Sequence, residues 1–420
     1  MRKLILLLKL ILRAKFVFKT PKEHEVIIFD KTSAENLKSC LSKFSPYVLQ
    51  VRLENMDEIY FSYKILKKML NNYLRGNLFT VYLISLIELI KAKVVVTHVD
   101  NSFKFSTIAK VLEKKITFIA IQNAARYELL ELDYLYRTKK IKQNYLKKYY
   151  IPNFFSFGDY ERDLYPKLQI NVKNIYPAGN LRWASFLNHI KKENHSLEKY
   201  NSDICLISET TGGEVYMHST AILNERAKKE INDHKLLENI NMKKGWVDIV
   251  KYTIKFCIKN NMKLVIPLKR SKISTPAAHK VEYNFFKDNL ESNEFDYFNS
   301  CFIENERGNY SSYRAVKNSK VAVGNVSTLL RDKLGTGGKI LSCNLTKADI
   351  YNFPISGICS LNNCTYLEFE KRLLEIYSIS KESYFSKMDK KPDYVMRFNK
   401  NNSTINLIRE KLLQLGVKQN

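Results

Sequence analysis

Short apolar runs separated by amphipathic stretches recur along this chain. Residues 25–30 (EVIIFD) are an apolar, β-branched run ended by an acid, the pattern of a strand buried on both faces. Helical spacing follows over 33–44, and a second strand is expected at 47–51. Residues 59–90 read mostly as helix, with a break at Arg75-Gly76-Asn77. Residues 93–99 (KVVVTHV) predict the next strand, ending at Asp100-Asn101-Ser102, with 103–113 as its crossover helix. Residues 117–121 give a strand ending at Gln122-Asn123, and 150–157 and 174–176 complete the series before Gly179-Asn180-Leu181-Arg182. Strands alternating with helices predict a parallel, doubly wound α/β sheet.

The polar stretch 188–201 reads as a linker, after which the pattern restarts. A strand at 203–207 leads into the loop from Ser208 and Glu209 to Gly213, and a long helical region runs to about residue 261. Residues 263–268 predict a strand ending at Lys269-Arg270-Ser271, and 297–303 predict another. The most informative stretch is 319–344. Residues 321–323 are a buried-type strand, Gly324-Asn325 turns the chain, and Ser327-Thr328 has the chemistry of a helix N-cap. A short helix over 329–334 ends at Gly335, Gly337 and Gly338, and a strand starts at Lys339. Backbone N–H groups at such a helix start suit an anion, although an ordinary capped helix has the same sequence. From residue 366 the chain is helical, over 367–377, 380–387 and 403–415.

The organisation expected is therefore a segment at 1–22, α/β domains at 23–190 and 200–400, and a terminal helix at 401–420. Two Rossmann-like doubly wound domains facing a cleft would collect the polar residues at the carboxyl ends of their strands. Asp100, Gln122, Asn123, Arg182, Glu209, Lys269, Arg270 and Ser327 fall in that class.

Composition changes this picture in three places. The chain has 45% hydrophobic and 12% aromatic residues over 420 positions, which excludes disorder and supplies two full cores. Its seven cysteines contain no CxxC pair and read as reduced core thiols in a cytosolic protein. The balance of 69 basic against 42 acidic residues, +27, suits anionic lipid, nucleic acid or anionic substrates without selecting one. The charge is spread evenly, so no specific nucleic acid partner is expected. Residues 1–22 hold seven Lys or Arg and no acid around two short apolar runs. They are too short to span a bilayer and suit either an amphipathic helix on the anionic cytoplasmic leaflet or a first helix packed on the protein's own core.

Candidate chemistry lies at the strand ends. Asp100, with His98 two positions before it, reads as a general base at a strand tip or as the cap of the following helix. Glu209 is a second catalytic carboxylate or a solvent-facing loop acid. Lys269 and Arg270 are placed to neutralise a diphosphate. No GxxxxGK[ST], GxGxxG, HExxH, GxSxG or DxD element is present, so no metal site and no cofactor is expected.

Seven stretches, in order, carry a resemblance: EVIIFD at 25–30, VVVTHVDNSFKF at 94–105, ITFIAIQNAARY at 116–127, FFSFGDYERDLYPKLQINVKNIYPAGNLR at 154–182, DICLISE at 203–209, SSYRAVKNSKVAVGNVSTLLRDKLGTGGKIL at 311–341 and FEKRLLEIYSISKESYFSKM at 369–388. Together they resemble the bacterial surface carbohydrate biosynthesis proteins, two-domain (GT-B) glycosyltransferases of capsule and lipopolysaccharide assembly. The resemblance implies a nucleotide-sugar donor bound by the C-terminal half and a glycan or lipid-linked acceptor bound by the N-terminal half, at the inner face of the plasma membrane. By position it carries over Asp100 and Asn101, then Gln122, Asn123 and Arg126, then Ser327, Thr328 and Asp332. Ser311, Ser312 and Tyr313 go to the donor side, and Asn180 and Arg182 to the acceptor side. Ala124 stands where the family pattern has Gly, and Asp332 where it has Glu. The function this implies is metal-independent glycosyl transfer to a surface polysaccharide or lipid-linked acceptor. Transfer of a CMP-activated sugar acid of the Kdo type or of a polyol phosphate is the alternative. A non-catalytic basic scaffold for polysaccharide or nucleic acid is the second.

Overall fold

A computed structural model describes residues 12–53, 56–126, 149–191, 200–209, 233–306, 308, 310–347 and 349–419. The chain forms two compact units, one of Met1–Asn123, Lys142–Ser185 and Phe398–Asn420, the other of Ala124–Ile141 and Phe186–Arg397.

The strands of the first unit are β1 (Lys15–Val17), β2 (Val26–Phe29), β3 (Tyr47–Leu49), β4 (Glu58–Tyr60), β5 (Val94–Thr97), β6 (Thr117–Ile121), β7 (Tyr150–Ser156) and β8 (Asn171–Pro177). Six of them make one parallel sheet in the order β3-β2-β5-β6-β7-β8. Every residue of β2 and β5 is buried, as their unbroken apolar runs require. The order reverses between β2 and β5, where the chain first crosses to the other side of the sheet. Helices start where the sequence supplies an acceptor: Ser62, Asn77 and Ser102 take the amides of Ile65, Thr80 and Phe105. The helix expected over 59–90 is broken as the Gly76 signal indicated, but its start is the strand β4.

That strand exists because β1 pairs with it in parallel, Lys15 opposite Glu58. The amphipathic helix expected over 1–22 therefore gives way to a strand at Lys15–Val17, and residues 1–11 lie outside the described residues. The terminal helix Thr404–Gln414 returns to the first unit. Ile405, Ile408, Leu412 and Val417 join a core cluster with Val26, Ile28, Leu37, Leu41 and Val94. Arg409 adds hydrogen bonds to the carbonyls of Cys40 and Ser39.

In the second unit, β9 (Ser202–Leu206), β10 (Leu264–Pro267), β11 (Phe302–Ile303), β12 (Ser319–Gly324), β13 (Lys339–Asn344) and β14 (Ser360–Asn362) form a parallel sheet ordered β11-β10-β9-β12-β13-β14. Counted along the chain this is 3-2-1-4-5-6, the Rossmann order, with its reversal between β9 and β12. Both units are thus Rossmann-like α/β sheets. The strand expected at 297–303 is instead the helix Ser292–Cys301 followed by a two-residue strand. A capping box between Glu291 and Glu294 starts that helix, and Phe298 stacks on Phe286 at 4.3 Å. The 319–344 unit forms as its residues dictate: Ser327 Oγ caps the helix Thr328–Gly335, and Gly337 leaves it at φ 81°. The start of the 188–201 linker extends the helix Leu181–Ile190, and 192–199 lie outside the described residues. Among the described residues no helix is long and apolar enough to cross a membrane.

Candidate active site

The second sheet brings its chemistry to the carboxyl ends of β9, β10 and β12. Val323 of β12 pairs with Leu206 of β9, so the loops that follow them leave the sheet side by side. Glu209, just beyond β9, turns its carboxylate onto three consecutive amides beyond β12. Oε1 accepts from Asn325 N at 3.2 Å and Ser327 N at 2.8 Å, and Oε2 from Val326 N at 3.0 Å. Such a run of amides at a helix start is an anion-binding concavity. Gly324 leaves room for it, since a Cβ there would stand 3.1 Å from Glu209 Oε1. Burial pushes the Glu209 carboxyl above its usual range, and the three amides and Lys269 oppose that shift. The amides expected to suit an anion at Ser327 hold the protein's own Glu209 carboxylate. The rest of the loop, 210–213, lies outside the described residues.

A second carboxylate, Glu282 on the helix Pro276–Asn289, was not singled out from the sequence. It is fully buried, and it accepts from Lys269 N at 2.9 Å, Arg270 N at 2.8 Å and the Ser208 hydroxyl. Burial raises its pKa against the pull of these donors. The signal was present: Glu282 occupies the buried stripe of its helix between His279 and Phe285, where an acid is costly unless partnered. With their backbones fixed by Glu282, Lys269 and Arg270 present their side chains at the strand tip. More than a third of Lys269 stays open, yet burial of the remainder, aided by the neighbouring Arg270, holds its amine below the ordinary lysine range. Among the described residues Arg270 Nε is buried without a hydrogen-bond partner, a donor set for an anion.

Thr328, Arg126 and the segment 124–126 also meet in this unit. Thr328 Oγ1 accepts from Ala125 N at 2.8 Å, and the fully buried Arg331 donates to the Arg126 carbonyl at 2.6 Å. Ala124 has no positive φ, so the backbone there does not require the glycine of the family pattern. Asp332 is fully buried. Ser311 is likewise buried, its Oγ accepting from Glu306 N. Ser312 donates to the Leu268 carbonyl, and half-buried Tyr313 packs against Phe186 and Tyr310.

In the first unit the same edge holds buried polar side chains. Asp100 is 3% exposed and accepts from Asn123 N at 3.3 Å. It does not cap the next helix, because Ser102 does. His98 is buried beside it, its backbone N donating to Ser33 Oγ. Gln122, just beyond β6, ties to the chain after β7, donating to Glu161 of the helix Tyr160–Lys167 at 2.8 Å and accepting from Phe157 N at 2.7 Å. Asn180 takes the Arg182 amide as a helix cap, with the Arg182 side chain exposed, and Asn101 accepts from Tyr149 OH. Gln122 and Asn180 are both buried and hydrogen-bonded within the unit. Asp30, the acid that ends β2, was not singled out from the sequence. It is buried at φ 83°, its Oδ1 taken by Thr32 and its Oδ2 by both Nε and Nη2 of Arg52 at 2.8 Å. A non-glycine residue held left-handed at the β2/β5 reversal is strained, and its hydrogen bonds hold it there.

No protein-family model matches this chain, and no curated protein does. Among solved structures it is similar to UDP-GlcNAc 2-epimerase from Neisseria meningitidis bound to UDP-GlcNAc, with a TM-score of 0.45 and 12% identity over 93% of this chain and 99% of that one. It is also similar to UDP-GlcNAc 2-epimerase from Methanocaldococcus jannaschii (TM-score 0.47, 12% identity, 92% and 99% covered). A UDP-forming α,α-trehalose-phosphate synthase from Burkholderia xenovorans is comparable (TM-score 0.47, 8% identity, 94% and 98% covered).

Proposed function

We propose that the protein is a GT-B glycosyltransferase that binds a nucleotide-activated sugar at the carboxyl edge of its second sheet and moves the sugar to a surface polysaccharide or lipid-linked acceptor without a metal. The observation that carries this reading is the pair Lys269 and Arg270, fixed at the β10 tip by Glu282 and close in the sheet to the β9/β12 reversal. Open α/β sheets bind ligands at such reversals, and cations there suit a diphosphate. The ordered resemblance of seven stretches to surface carbohydrate transferases supports the same reading. In it, Lys269 and Arg270 hold the donor phosphates and stabilise the charge that develops on the leaving group. Glu209 keeps the amide concavity shaped beside them. Asp100, at the β5 tip of the acceptor unit, is the general base that takes the proton of the acceptor hydroxyl.

The test is release of free nucleotide from a panel of nucleotide sugars, with acceptor glycans or glycolipids present. Wild-type protein should turn over one donor class, and folded Asp100→Asn should lose about a hundredfold or more in kcat. Near-normal turnover by that variant would remove Asp100 from the chemistry.

A further inference from the structure

One stretch of the first unit reverses the rule that apolar side chains face inward. The helix Tyr63–Asn71 buries Ile65 and turns Tyr63, Leu66 and Leu70 outward, 77%, 40% and 71% exposed. These three sit at i, i+3 and i+7 and share one face. Leu74 and Leu78, in the chain that follows, are 81% and 77% exposed. On the N-terminal side, Phe18 and Phe61 leave the paired strands β1 and β4 together, their exposed rings edge to face at 6.2 Å. Lys64 and Lys67 are exposed on the same helix, and the sequence from Ile59 to Ile87 contains no acid.

Monomeric proteins do not ordinarily leave so many large apolar groups open in one stretch. Exposed leucine and phenylalanine among lysines, with Glu88 of the next helix little exposed and paired with Lys68 and Arg75, is the complement of an anionic bilayer. The apolar tips enter the acyl boundary, tyrosine rests at the interface, and the amines meet lipid phosphates. A protein partner of the same shape would not demand that the exposed positions between 61 and 78 carry lysine and arginine and no acid. We infer that the face formed by Phe18, Phe61, Leu66, Leu70, Leu74 and Leu78 seats the protein on an anionic lipid surface. It is independent of the nucleotide-sugar reading.

The experiment is co-sedimentation of the full chain with phosphatidylcholine vesicles, with and without about a third phosphatidylglycerol. Wild type should pellet with the anionic vesicles, less so as salt rises. Leu70→Ser/Leu74→Ser, at exposed positions that leave the thermal midpoint unchanged, should lower vesicle affinity at least about tenfold. Lys64→Gln/Lys67→Gln should weaken it severalfold and flatten its salt dependence. Wild type that stays in the supernatant overturns the inference, as does a leucine variant that binds like wild type. Self-association of wild type that the leucine substitutions abolish, with vesicle binding unchanged, would assign the face to a second copy of this chain and overturn it too.

Discussion

Three buried charges in the second unit decide what its residues do. Glu282 joins Ser208 to the amides of Lys269 and Arg270, so Glu282→Ala leaves two buried amides and a hydroxyl without their acceptor. A loss of about 2–4 kcal/mol in urea unfolding is expected, with a larger loss in nucleotide binding than Lys269→Ala alone causes. Equal stability of variant and wild type would contradict the role given to it. Lys333 is the second such group: its amine donates to the Val316 and Ser319 carbonyls, and burial lowers its pKa from 10.5 to about 8. The folded chain releases this proton near pH 8 and the unfolded chain near 10.5. Between those values the unfolded state binds more proton, so stability rises with pH. Wild type should gain roughly 2–3 kcal/mol on Lys333→Met between pH 7.5 and 10, and parallel curves would refute the assignment. Glu209 is the third, and here the sequence was half legible. The DICLISE run placed it at a strand tip, but only the alignment of β9 with β12 shows its carboxylate filling the amide concavity predicted at Ser327. A contact across 116 positions leaves no local pattern to read.

At the scale of elements, period and capping carried most of the fold. The apolar runs at β2, β5, β6, β10 and β12 and the cap Ser327 mark their elements in sequence alone, whereas the caps Ser62, Asn77 and Ser102 are seen in the structure. Residues 297–303 failed because an aromatic run is ambiguous over so short a length, and the capping box before it decided for helix. The partners of β1 and of the terminal helix were not legible either, since both pair with elements far away in the chain. The helix Thr404–Gln414 supplies Ile405, Ile408 and Leu412 to the core of the first unit. Ile408→Ala should therefore destabilise the first unit by about 2–4 kcal/mol. Deleting residues 398–420 should remove its cooperative unfolding transition, because the apolar burial lost approaches the whole stability of a domain. A truncated chain that unfolds like the full one would show that this helix is dispensable.

For the whole molecule, the claim is that a chain with two Rossmann-like sheets and a charge of +27 uses particular cations, not its general basicity, to hold a nucleotide diphosphate sugar. A uniformly basic scaffold would bind any polyanion and lose it with salt at every site equally. The direct measurement is the thermal midpoint of wild type and of Lys269→Ala/Arg270→Ala against UDP, GDP, CDP, CMP and dTDP and their sugar conjugates, at millimolar ligand and moderate salt. Ligand that binds only the folded state raises the midpoint by mass action. The account predicts a rise with one nucleotide class in the wild type and its loss in the double variant, whose unliganded midpoint stays close to that of wild type. No rise with any nucleotide, or an equal rise in both proteins, would contradict it.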